Sequence, residues 1–185
     1  ANDATLLASN QGLIFDDGFS YIGGNPEGRL TVVEFIDYRC GYCRKAHGEV
    51  AELIKSDGDI RYVVKELPIL GDQSVLASQF AVATLQTAGP EAYARVMNGF
   101  YDDTFRGDVT TDTLAGYATS LGLDAQAILA QMDTDEVKKV INANHALAQT
   151  LQITGTPTFV LGDSMIRGYV PLENMRAIVA EERKG

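Results

Sequence analysis

The chain has 185 residues, 45% of them hydrophobic, and a formal net charge of −10. That length and apolar content suit one globular domain with a real core and room for an inserted subdomain. The charge argues against nucleic acid or an anionic membrane as partner, no apolar window is long enough to span a membrane, and two cysteines are too few for a disulfide scaffold.

The first residues, Ala1-Asn2-Asp3, carry no charged-then-apolar leader and read as a mature or trimmed end, which leaves export open. Residues 1–20 predict a short helix around Leu6-Leu7 and a short strand around Leu13-Ile14-Phe15. Gly23-Gly24-Asn25-Pro26-Glu27-Gly28 is a dense turn cluster that leads into the core. Leu30 to Ile36 is a near-continuous apolar run, as in a central strand covered on both faces, and Glu34 interrupts it. Both cysteines follow at once, Cys40 and Cys43, where the run hands over to a helix carrying Ala46, Val50, Leu53 and Ile54. Free N–H groups in a first helical turn stabilise a thiolate, and the spacing puts both sulfurs on one face.

After Asp57-Gly58-Asp59, the stretch Ile60 to Lys65 predicts a second strand, parallel to the first across a βαβ crossover. From Asp72 to about Leu151 the pattern is helical: five segments separated by Gly89-Pro90, the Thr110 region, Gly122 and Thr134. Thr156-Pro157-Thr158-Phe159-Val160-Leu161 is then a strand beginning at a proline. Gly162-Asp163 is a hairpin turn to Met165–Gly168, and Leu172 to Arg183 is a closing amphipathic helix. The expected organisation is an N-terminal segment (1–24), a core split into 25–70 and 152–185, and an inserted helical subdomain (71–151).

Val33-Glu34-Phe35-x-Asp37-Tyr38-x-Cys40-Gly41-Tyr42-Cys43, together with Gly155-Thr156-Pro157-Thr158-Phe159, resembles the DsbA family of thiol:disulfide oxidoreductases, with Gly41-Tyr42 and Thr156 leaning towards its ScsC-like branch. The resemblance covers nearly the whole chain. It implies an α/β, thioredoxin-like fold with an inserted helical subdomain and a periplasmic or otherwise exported protein. It also implies a cis peptide before Pro157, facing the cysteines, which leaves Thr156 backbone free to pair with an extended client. Folded X–Pro bonds are cis only about 5–6% of the time.

In this reading Cys40 is the nucleophile and Cys43 resolves the mixed disulfide. Gly41 and Tyr42 tune the pair and line the client site with Thr156 and Pro157. Glu34, partnered by Lys65 on the neighbouring strand, is expected to move the Cys43 proton, since burial raises a carboxyl towards neutrality. Zinc would have three ligands in Cys40, Cys43 and His47 where a structural site wants four, and c-type haem would need a histidine where Arg44 stands. No metal and no cofactor beyond the redox-active pair is therefore expected. The expected partners are cysteine-containing clients and a membrane or soluble thiol redox partner. Residues 1–20 are too short for an oligomerising stalk, so a monomer is expected. Dithiol oxidation is the leading direction. Isomerisation, reduction, and a non-catalytic peptide-binding module are the alternatives.

Overall fold

The computed structural model describes residues 2–185. Its centre is a sheet of β1 (Tyr21–Gly24), β2 (Leu30–Ile36), β3 (Ile60–Glu66), β4 (Thr158–Leu161) and β5 (Ser164–Arg167), in the spatial order β1-β3-β2-β4-β5. The apolar run from Leu30 does become the central strand. It pairs parallel with β3, Leu30 opposite Ile60 and Ile36 opposite Glu66, and antiparallel with β4. β1 and β5 close the two edges, both antiparallel.

The parity of these strands decides which side chains meet. Val32, Ile36, Tyr62 and Val64 share one face with Ala46, Val50 and Leu53 of α3 (Gly41–Asp57) and with Met175 and Val179 of α9 (Leu172–Lys184). Val33, Phe35, Val63 and Val160 share the other. Leu7 of α1 (Asp3–Ala8), Ile14 of α2 (Gln11–Phe15) and Leu147 of α8 (Asp135–Thr150) cover that face. Each buried aliphatic side chain contributes roughly 2 kcal/mol, and Val50 and Leu53 are among those that seat α3 on the sheet. Between β3 and β4 lie α4 (Asp72–Ala88), α5 (Pro90–Tyr101), α6 (Thr111–Ser120), α7 (Ala125–Met132) and α8, matching the five expected helical segments. The whole is a thioredoxin-like α/β fold. Among the described residues, no helix is long and apolar enough to cross a membrane.

The N-terminal segment differs from its sequence reading. Leu13 to Phe15 belongs to a helix, because Ile14 buries fully against the second face of the sheet. The strand lies later, inside the glycine cluster. Gly24 ends it at φ 64, where an added Cβ would stand 2.6 Å from the Ile60 carbonyl oxygen. Only glycine lets the chain leave the sheet there.

Candidate active site

Cys40 is the residue before α3, with extended backbone (φ −86°, ψ 122°), and its Sγ accepts the Cys43 N–H at 3.3 Å. The sulfur thus does the work a serine or aspartate does at other helix starts. Cys40 is half-buried, whereas Cys43, one turn in, is 1% exposed. The hydrogen bond from Cys43, with further ones from the Thr156 side chain and the backbone N–H groups of Cys43 and Tyr42, draws the Cys40 thiol down to about 5 against partial burial. The same Cys40 contact and burial push the Cys43 thiol up. One sulfur is a thiolate at neutral pH and its neighbour is a firm thiol.

Facing them is the Thr156-Pro157 peptide bond, which is cis. The Cys40 Sγ lies 3.3 Å from the Thr156 carbonyl oxygen, and Gly168 N–H donates to the Pro157 carbonyl at 2.9 Å, tying the loop after β5 to this turn. Gly41 and Tyr42 are exposed beside Cys40. A Cβ on Gly41 would meet nothing within 4 Å, so that glycine is not a steric necessity. The Tyr42 ring, 62% exposed, stacks on Tyr169 at 6.0 Å, and Lys45 Nζ lies 4.6 Å from the Tyr169 centroid.

Glu34 is buried on the face of β2 that α3 covers. Burial raises its carboxyl to about 7; the hydrogen bond from Tyr62 Oη works the other way, and the Cys40 thiolate adds to the rise. The expected partnership with Lys65 is not formed. Lys65 sits opposite Phe35 in the register, one residue out of phase with Glu34, so its side chain emerges on the other face of the sheet. There it pairs with Asp17 and lies 3.3 Å from Ser20 Oγ. Burial pulls the Lys65 ammonium down. It works to raise Asp17 too, but hydrogen bonds from Lys65 and Ser20 outweigh it and hold that carboxyl low. Tyr62, two residues before Val64 on the correct face, holds the place beside Glu34.

A second buried acid was not legible in the sequence. Glu66 ends β3 on the Glu34 face, and its carboxylate accepts Tyr38 Oη at 2.6 Å, Ser78 Oγ at 2.7 Å and Tyr93 Oη. Burial lifts it to about 7, with those three donors lowering it and the nearby Asp37 charge raising it. Asp37 is fully buried as well: its oxygens accept Arg39 N–H at 2.7 Å, Ile69 N–H at 2.8 Å, Leu70 N–H at 3.2 Å and Ser74 Oγ at 2.8 Å. Tyr101 Oη donates to the Asp37 carbonyl at 2.9 Å. The loop before Cys40 is therefore held from α4, α5 and β3 together. The sequence offers three scattered polar residues, Asp37, Glu66 and Ser78, and nothing that joins them.

His47 is anchored to α5, its Nε2 2.8 Å from Asn98 Oδ1 and its ring 4.9 Å from Tyr101. Among the described residues, no three His, Cys, Asp or Glu side chains converge as a metal site requires.

Comparison with known proteins matches these features. The model of the DSBA-like thioredoxin domain fits residues 31–180. A thioredoxin-like oxidoreductase from Silicibacter pomeroyi superposes with a TM-score of 0.85 at 36% identity, covering 95% of this chain and 99% of that one. The thiol-disulfide exchange protein alpha-DsbA2 from Wolbachia pipientis superposes with a TM-score of 0.86 at 25% identity, covering 97% and 95%. A curated relative, the Na(+)/H(+) antiporter NhaA of Herminiimonas arsenicoxydans, is 28% identical over 173 residues, which are 92% of this chain and 27% of the antiporter. The chain thus spans about a quarter of the length of that relative. A thiolate at a helix start, its buried partner thiol and the loop of Pro157 across from them lie within the matched region, and the chain belongs to the DSBA-like thioredoxin domain family.

Proposed function

We propose that this chain oxidises pairs of client thiols, as an exported monomer, through Cys40 and Cys43. A client thiolate attacks Cys40 Sγ, the Cys40–Cys43 bond breaks, and Cys43 leaves carrying the electron pair and takes a proton from Glu34. A second client thiol, giving its proton to solvent, attacks the client sulfur of the mixed disulfide, Cys40 departs as a thiolate, and Glu34 regains a proton from solvent. The client gains a disulfide. Its two electrons now rest on the Cys40–Cys43 pair, and a membrane or soluble thiol redox partner removes them. Thr156 backbone beside Pro157 pairs with the extended client, while Gly41 and Tyr42 form the other lip of the groove.

The observation that carries the direction is the asymmetry of the thiols, Cys40 drawn to about 5 and Cys43 pushed up. A stabilised thiolate favours the reduced pair and leaves readily, so the disulfide form is an oxidant. Equilibration against glutathione measures the reduction potential. A value between about −200 and −120 mV, with oxidative refolding of reduced ribonuclease, is expected. A value at or below about −270 mV overturns the oxidase direction. Exchange that survives Cys40→Ser overturns the site itself.

A further inference from the structure

Two arginines bracket the cysteine pair, Arg39 just before Cys40 and Arg44 just after Cys43. Both side chains run to the end of α5 and the loop that follows it. Arg44 Nη1 donates to the Tyr101 carbonyl at 2.7 Å and to Asp103 Oδ1 at 3.0 Å, and Nη2 to the Phe100 carbonyl at 3.1 Å. Arg39 Nη1 donates to the Gly107 carbonyl at 3.2 Å. A third, Arg106, bonds through Nε to the Asp103 carbonyl at 3.0 Å. The three line one pocket of about 130 Å³, with the rings of Tyr38, Phe100 and Phe105 among its walls. That is room for a carboxylate and its stem, since a water takes about 30 Å³.

The charge inside the pocket is unbalanced. Asp103 is the one carboxylate that lines it, and Arg44 already pairs with it. Asp102, on the same loop, turns back to Thr104 N–H and Oγ1 at 2.9 and 2.6 Å. Among the described residues, Arg39 and Arg106 reach carbonyl oxygens and no carboxylate. A chain of net charge −10 therefore keeps two uncompensated guanidinium groups in one concavity, one of them on the residue that precedes Cys40. Scattered surface arginines would mean nothing, but three that converge over aromatic walls and are pre-held by backbone carbonyls make a planar anion receptor.

We propose that this pocket is an anion subsite that takes a carboxylate carried by the thiol substrate, either an Asp or Glu near the client cysteine or the carboxylate of a small acidic thiol such as glutathione. The proposal rests on the thiol-exchange reading above. A carboxylate beside a cysteine works against exchange here in two ways: the acidic protein repels it, and it raises the attacking thiol's pKa. Guanidinium groups that take up the carboxylate offset both.

The test compares exchange rates of three cysteine peptides that differ at one position, Glu, Gln or Lys, and of glutathione against its diester. At low ionic strength the Glu peptide is expected to react about fivefold faster than the Gln peptide, the size two partly exposed charge contacts give, with the Lys peptide slowest. Rising salt should erase the margin, as should the double variant Arg39→Gln, Arg106→Gln, both exposed positions, with circular dichroism confirming that the variant is folded. A preference shared by peptides assigns the pocket to protein clients; one confined to glutathione over its diester assigns it to the small thiol. Equal Glu and Gln rates with no preference for glutathione sink the subsite alone, and so does a preference that survives the double variant. No exchange with any thiol sinks the oxidoreductase reading and takes the subsite with it.

Discussion

Glu34 is a carboxyl with one good partner, and that partner sets where it titrates. Tyr62 Oη stabilises its ionised form, while burial and the Cys40 thiolate favour the neutral one, and the balance falls at about 7. Replacing Tyr62 by Phe removes the lowering influence, so the carboxyl should titrate above 7. The step in the pH profile of exchange should then move to higher pH. Glu34→Gln should abolish that step and slow exchange about a hundredfold at neutral pH, the low end for a lost general acid–base group. Stopped-flow rates across pH 5 to 9 measure both, and a profile unchanged in either variant would remove Glu34 from the proton route.

At the scale of elements, the outline was readable because the signals were local. The Cys40 turn, the strand behind Pro157, the Gly162-Asp163 hairpin and the five helices each announce themselves within a few residues. Register does not. Whether Glu34 meets Lys65 or Tyr62 depends on setting Leu30 opposite Ile60, and one residue of slip exchanges the faces. β1 was hidden for a related reason: a strand of Tyr21-Ile22-Gly23-Gly24 has the composition of a turn and is fixed by pairing with β3. The Glu66 cluster was beyond reach, since its donors come from the Cys40 loop, α4 and α5. Reassigning Lys65 to the far face has a measurable result. Lys65→Met should destabilise the fold by about 3–5 kcal/mol, because it leaves the buried Asp17 carboxylate without its counter-charge. The exchange rate of the folded fraction should stay as it was. Urea unfolding and single-turnover kinetics on one sample separate the two, and a rate loss at full folding would return Lys65 to the site.

For the molecule as a whole, stability should depend on pH with opposite signs from its two kinds of buried group. Glu34 and Glu66 hold their protons up to about 7, against an ordinary 4.5. Their neutral forms are what the fold accommodates, so the stability they favour is complete below 4.5 and is lost as pH rises through 7, on the order of 3 kcal/mol for each. Cys40, lowered from 9 to about 5, runs the other way: its contribution is present above 9 and disappears as pH falls through 5. The disulfide form has no such thiol. The reduced chain should therefore gain on the oxidised one steadily from pH 5 to 9 in paired urea melts, and a constant gap would contradict the lowered Cys40 thiol.

The unequal thiols also fix how many protons travel with the electrons. Between pH 5 and 9 the reduced pair holds a bare sulfur at Cys40 and a protonated one at Cys43, so reduction of the two sulfurs takes up two electrons and a single proton. The midpoint potential should then fall by about 30 mV per pH unit across this range, half the slope of an ordinary dithiol, and steepen to about 59 mV only below pH 5 where Cys40 also protonates. A protein with that property loses oxidising strength with rising pH at half the rate of an ordinary dithiol, so its driving force shifts less as the acidity of its surroundings drifts.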